Sequence, residues 1–435
     1  MALLIGVDEA GYGPNLGPLV VAATAWEIAD CGTQRVPGIA DCISSNPKSQ
    51  IPNPKFPVPP DLYKLLRRAV ARTPDGKRVA FADSKALYKP AIGLMHLEHG
   101  VLTALHVAAP GGRGSRRAEP GRPILARQEP RPPKRVAGVV AQRSPQRGAN
   151  GNPPPLAPPP RTGEGNRLSW LSLVETLCAD ADARQRELPW HDGFDCDVPC
   201  ATANGEVETA GSRLMKTMDS VGVLLHSIRA RLVFPCEFNE LVEQYGNKAS
   251  ALSEVTMRLV REVVNDCGLR HPKGTRDCGL ENTQSAIRNP NSEILPKSQI
   301  PNPKSQILLS PLIVCDKHGG RNHYAALVQQ HFPETWVETL HESRAASWYR
   351  TTGDAPLQFC FRMEGESFLP AALASMTAKY VRELAMKAFN QFWCARVPDL
   401  RPTAGYPGDA KRFRIDIAHE QRRLGIADRL LWRER

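Results

Sequence analysis

Apolar and polar positions along the chain fall into two recurring patterns. Leu3, Leu4, Ile5 and Val7 form an apolar run that stops at two adjacent acids, Asp8 and Glu9. A turn carrying Gly11, Gly13, Pro14, Gly17 and Pro18 follows, and then a second apolar run from Leu19 to Ala25. Short apolar runs bounded by Gly and Pro predict buried strands joined by a turn. The helical spacing of Leu62, Leu65, Leu66, Ala69 and Val70 predicts a helix over 61–72. A further helix starts near Ser84 and runs to about His106. Trp170, Leu171, Leu173, Val174 and Leu177 predict one more, while the rest of 166–211 reads as loop. Alternation over 221–234 predicts a strand closed by Pro235, and 238–264 reads as one long amphipathic helix. A short strand over 311–315 ends at Asp316, with a helix near 322–330. A strand over 357–363, a helix over 370–386 that opens with proline, and a basic helix over 410–424 complete the chain.

Composition changes this picture in one respect. Of the 39 prolines, 24 fall in three stretches, 34–60, 111–165 and 270–307, which are rich in Pro, Gly, Asn, Ser or Arg. The string NPKSQIPNPK within the first nearly recurs within the third, too far away to be a solenoid period. Such stretches cannot bury enough apolar surface to pack, so they are expected to be disordered insertions. The same stretches hold the net charge. They carry +2, +8 and +3, so the remainder of a chain of net charge +11 is slightly acidic. Bulk basicity therefore says little about the folded part, and any nucleic-acid binding must come from local geometry. The expected organisation is a first part of a core over 1–110, interrupted at 34–60, and a disordered insertion at 111–165. A middle part follows over 166–269, with an uncertain insert at 166–220. A second insertion at 270–307 precedes the rest of the core and the C-terminal helices at 308–435.

Eleven cysteines at irregular spacing, without a Cys-x-x-Cys pair, exclude a zinc ribbon and a secreted disulfide framework. Cys196, Cys200 and His191 lie near one another in sequence, but no second ligand pair follows, and loop cysteines are the simpler reading. No basic region precedes the first apolar run, and no apolar stretch reaches membrane-spanning length. A cytoplasmic protein is expected.

Carboxylates at the end of a buried strand are costly unless something pairs with them, and a divalent cation is one such partner. The stretch Asp8-Glu9-Ala10-Gly11, with Gly13, Gly17 and Pro18, resembles the opening motif of the type II ribonucleases H. These enzymes cut the RNA strand of RNA–DNA hybrids. Tyr12 stands where that family has a basic residue. Asp83-Ser84-Lys85-Ala86-Leu87 resembles the family's next motif, although Asp-Ser-Lys is also an ordinary helix N-cap. Asp316 fits the family's third acid. Ala374, Ser375, Ala378, Lys379, Arg382 and Met386 match its long helix, with Glu383 in place of Asp. The acid before that helix, Asp in type II enzymes, is Glu366 here, and the related type III enzymes use Glu. Glu364 is the less suited candidate. Gly405-Tyr406-Pro407 resembles the stretch whose tyrosine packs on the sugar at the RNA–DNA junction.

The resemblance implies an α/β, ribonuclease H-like mixed sheet flanked by helices, with a helical C-terminal portion and long disordered insertions. It implies a metal-dependent endoribonuclease using Mg²⁺ or Mn²⁺ held by Asp8, Glu9, Asp316 and Glu366. Two such ions about 4 Å apart activate water, stabilise the phosphoryl charge and assist the leaving oxygen. The substrate would be an RNA–DNA hybrid or ribonucleotide-containing duplex DNA, met by Gly11, Tyr12, Gly13, Lys85, Lys379 and Tyr406. Glycine amides permit the close approach that reading a 2′-hydroxyl requires. Two rivals remain. One is a catalytically inactive hybrid- or junction-binding protein of the same fold; the other is a metal-free glycosidase with a carboxylate pair. A dinucleotide site is disfavoured, because Gly11, Gly13 and Gly17 do not have the G-x-G-x-x-G spacing.

Overall fold

The computed structural model describes residues 2–29, 59–89, 92–108, 168–178, 185, 187–203, 205–269 and 310–433. The three stretches expected to be disordered lie outside the described residues, apart from Pro59 and Pro60. Eleven strands occur among the described residues: β1 (Ala2–Ala10), β2 (Leu19–Ile28), β3 (Val70–Ala71), β4 (Val79–Ala80), β5 (Leu168–Ser169), β6 (Asp197–Val198), β7 (Val223–Val233), β8 (Leu312–Asp316), β9 (Val337–Glu342), β10 (Ala346–Thr351) and β11 (Gln358–Arg362). Seven form one mixed sheet in the order β7-β2-β1-β8-β11-β10-β9. β1 runs antiparallel to β2 and parallel to β8, and β8 is parallel to β11.

The two predicted N-terminal strands lie inside this sheet, between β7 and β8, because they can be buried on both faces. In β2, Val20, Ala22, Trp26 and Ile28 enter one core, while Leu19, Val21, Ala23 and Ala25 enter the other. The period of two thus serves both faces at once. On the first face lie helices Leu369–Cys394, Met95–Val107 and Trp170–Leu177; on the second lie Pro235–Tyr245, Lys248–Asp266 and Ala325–His331.

The long helix reaches the sheet through a glycine. A Cβ on Gly6 would lie 2.0 Å from the Ala371 nitrogen and 2.2 Å from the Pro370 carbonyl carbon. Gly6 pairs with Thr24 across the strands, and the Thr24 hydroxyl donates to the Pro370 carbonyl at 2.8 Å. The helix start is therefore docked directly on β1, two residues before Asp8.

Several predicted elements differ from those observed. The helix expected over 61–72 is one turn, Leu62–Leu65, after which Val70–Ala71 pairs with Val79–Ala80. Leu66 and Ala69 are buried in the turn after that helix and Val70 in β3, so the spacing alone misled. The helix expected from Ser84 to His106 is split into Ser84–Leu87 and Met95–Val107, with Pro90 between them in the sequence. Proline cannot continue a helix, and the residue before it is driven to extended backbone. The helix expected over 238–264 is also two, broken at Gly246, whose φ is 81°. Asn247 then caps the next helix by accepting the Ser250 amide at 2.9 Å. Helix Glu206–Val221 and strands β9 and β10 were not anticipated.

Candidate active site

Strand register brings two of the acids together. β1 and β8 pair in parallel as far as Val7 and Cys315, so Asp8 and Asp316 are the next residues on adjacent strands. Alternation turns both toward the face of Leu4, Leu312 and Val314, the face covered by helix Leu369–Cys394. Glu366 enters from above in a short 3₁₀ turn, Gly365–Ser367, preceded by Glu364 at φ 57°. Gly365 lies against the Asp316 backbone, where a Cβ would stand 3.5 Å from the Asp316 nitrogen. Its amide and that of Lys317 act to lower the Asp316 carboxyl.

The electrostatics show how closely these groups share space. Burial first, then repulsion from Asp316 and Glu366, push the Asp8 carboxyl up to about 7, against hydrogen bonds from Ser375 and the Glu9 amide. Burial, Asp8 and Asp316 raise Glu9, and Lys85 opposes them. Burial also raises Asp316, with Glu366 adding to it. Lys85 is exposed; burial works to lower it, but Asp83, Asp8, Glu366 and Asp316 together raise it. Three acids held above the ordinary carboxylate range around one lysine make a site with unbalanced negative charge.

Beneath this cluster a pair of serines, given no role by the sequence reading, links two motifs. The Ser84 and Ser375 hydroxyls are 3.0 Å apart, and the Ser84 amide donates to Ser375 at 3.4 Å. Both sat inside motif matches, so their place in the sequence was the available signal.

The expected substrate contacts divide into two groups. Gly13 is exposed, with the Tyr406 ring 3.9 Å from where its Cβ would be, and Tyr406 is 52 % exposed. These two form one open edge beside the Gly11 turn. Lys379, by contrast, is ion-paired with Glu383 at 2.6 Å and lies over the Tyr88 ring, its ammonium 4.4 Å from the centroid. Its charge is already answered within the protein. Tyr12 is half-buried against the second core, with its hydroxyl near Gly319. Glu364 is exposed and stands just before the turn that carries Glu366.

Among the described residues, no three His, Cys, Asp or Glu side chains form a ready-made metal-holding group. The acids share one neighbourhood without closing into a cage, and His191, Cys196 and Cys200 form no zinc site. The donor chemistry nevertheless suits Mg²⁺ or Mn²⁺: these hard cations take oxygen ligands, and Mg²⁺ commonly uses one or two carboxylates, its own waters and substrate phosphate. A cavity of about 650 Å³ lies elsewhere, lined by Lys77, His96, His99, Glu206 and Arg213. It includes none of the candidate acids.

No protein-family model matches the chain, and no curated protein matches it. Among solved structures, the ribonuclease H2 from Pyrococcus horikoshii OT3 aligns over 99 % of this chain and 92 % of its own, at 11 % identity and a TM-score of 0.34. An overlap this loose fixes neither fold family nor function. No described helix is long and apolar enough to cross a membrane.

Proposed function

We propose that the chain is a divalent-cation-dependent endoribonuclease that hydrolyses the RNA strand of RNA–DNA hybrids. The observation that carries this reading is the adjacency of Asp8 and Asp316 on neighbouring parallel strands, with Glu366 and Lys85 close by. Clustered carboxylates raised by mutual repulsion are stabilised by a cation, and the motifs that supply them resemble those of type II ribonucleases H. Asp8 and Asp316 would hold Mg²⁺ or Mn²⁺ between them, with Glu9 and Glu366 completing the donor set. Bound there, the cations would lower the pKa of a water and neutralise charge on the scissile phosphate. Ser375, which works to lower the Asp8 carboxyl, would help to orient it. Lys85, on the exposed side, offers a charge to a backbone phosphate. The Gly11 and Gly13 amides and the Tyr406 ring would line the ribose.

The test is cleavage of a labelled RNA–DNA hybrid by the purified full chain with Mg²⁺ or Mn²⁺, compared with Asp8→Asn. Metal-dependent cleavage that disappears in the variant supports the proposal. Hybrid binding by the wild type without cleavage would replace it with the non-catalytic reading. Cleavage insensitive to chelator would remove the metal from the scheme.

A further inference from the structure

We infer that Arg382 is a positioning residue that sets the gap between Gly13 and Tyr406, and so governs how the substrate sugar is seated; this rests on the hydrolase reading above. Arg382 lies on the long helix and is 1 % exposed. One guanidinium nitrogen, Nη2, donates both to the Leu16 carbonyl at 3.4 Å and to the Ala404 carbonyl at 3.0 Å. Nη1 is 3.5 Å from Glu383. Its Nε lies under Gly11, which has φ +88° and where a Cβ would stand 2.5 Å from that nitrogen. One side chain therefore touches the turn after the first acids and the loop that carries Tyr406.

The same two loops also meet through the backbone. The Asn15 and Leu16 amides both donate to the Gly405 carbonyl, at 2.7 and 3.3 Å. Gly405 comes so close that a Cβ on it would be 2.6 Å from the Leu16 carbonyl oxygen. The Thr403 hydroxyl accepts the Gly405 amide at 2.9 Å. Tyr406 follows directly, facing Gly13 across the open edge. Both carbonyls are served by Nη2 at the far end of the side chain, one bond farther from the backbone than a lysine ammonium reaches, and the guanidinium plane holds it there as a stiff group. Arg382→Lys keeps the charge and most of the volume but removes the bridge. The distance between Gly13 and Tyr406 then relaxes while Asp8, Asp316 and Glu366 stay where the sheet holds them.

The experiment is a double-mutant cycle on the full chain, with Arg382→Lys, Tyr406→Ala and the pair. It measures kcat and KM on a labelled hybrid with Mg²⁺, and hybrid binding by fluorescence anisotropy in an Asp8→Asn background. Arg382→Lys is expected to raise KM and weaken binding about tenfold with kcat changed less than about twofold, as for a lost ground-state contact. In the Tyr406→Ala background the same substitution should add nothing. Additive effects, or a fall in kcat at unchanged KM, would overturn the inference and leave the hydrolase reading intact. A wild type that neither cleaves nor binds hybrid overturns both. If Arg382→Lys does not fold, Thr403→Val loosens the same loop from its other side and must give the same KM effect, absent in the Tyr406→Ala background.

Discussion

Gly6→Ala tests the junction on which the site depends. The added methyl would meet the Ala371 nitrogen at 2.0 Å and the Pro370 carbonyl carbon at 2.2 Å, both backbone atoms that no rotamer change can move aside. Ordinary contact begins near 3.4 Å, so the helix start must retreat by roughly 1.4 Å. Ala371, Ala372, Leu373 and Ala374 are all fully buried just beyond it, so retreat opens gaps along the helix and strains the Thr24 bond to Pro370. Overpacking typically costs about 1–3 kcal/mol, and a backbone clash of this size belongs at or above the top of that range. The gain from a stiffer unfolded chain, about 0.4–1 kcal/mol, does not offset it. At about 2–4 °C per kcal/mol, melting should fall by roughly 6–12 °C, read by thermal denaturation followed by circular dichroism. Gly408→Ala is the control: nothing lies within 4 Å of its added methyl, and it sits in the first turn of helix Pro407–Arg423. It should be neutral or slightly stabilising. Under the proposed function, Gly6→Ala also shifts Ser375 and Glu366 relative to Asp8, and a displacement of about 1 Å should lower hybrid cleavage about 100-fold. A variant that melts within about 2 °C of wild type would refute the docking of this helix on β1.

Asp8→Asn should stabilise the fold in the presence of chelator. With its folded pKa about 7 against an ordinary 3.8, wild type loses stability as pH rises through that window, and asparagine does not. The variant should nearly match wild type at pH 4 and exceed it by roughly 4 kcal/mol at pH 8, by urea denaturation; a pH-independent difference would count against the buried-charge account. Mg²⁺ should then stabilise wild type more than the variant. Glu98 is fully buried and accepts the amides of Cys200, Ala201 and Thr202 at 2.6–2.7 Å and the Tyr380 hydroxyl at 2.8 Å. Glu98→Ala should cost about 3 kcal/mol and abolish hydrogen-exchange protection at those amides; retained protection would contradict it. His191 is buried beside Trp170 and Phe234, and burial pushes it down to about 4 from 6.5. The unfolded chain takes up this proton first, so stability is lost as pH falls from 6.5 toward 4, by up to about 3 kcal/mol. His191→Phe should flatten that slope, and an unchanged slope would assign the acid sensitivity to other groups.

By itself, the sequence determined the elements whose pattern is local. The runs from Leu3 and Leu19, the helix over 370–386 and the acids ending two strands are readable because an abrupt change from apolar to acidic or Gly-Pro residues acts on the chain where it occurs. Breaks in helices were also written in it, at Pro90 and at Gly246-Asn247, although the apolar spacing masked them. Strands β9 and β10 and helix Glu206–Val221 were illegible because their residues are largely half-exposed or polar, so that no apolar period marks them. Only tertiary structure decided that Val7 pairs with Cys315, which puts Asp8 beside Asp316. It alone showed that Arg382 joins two loops, whereas the ion pair of Lys379 with Glu383 follows from their i, i+4 spacing on one helix. Strand register and the contact of Arg382 with Leu16 relate residues hundreds of positions apart, and spacing along one segment carries no information about them.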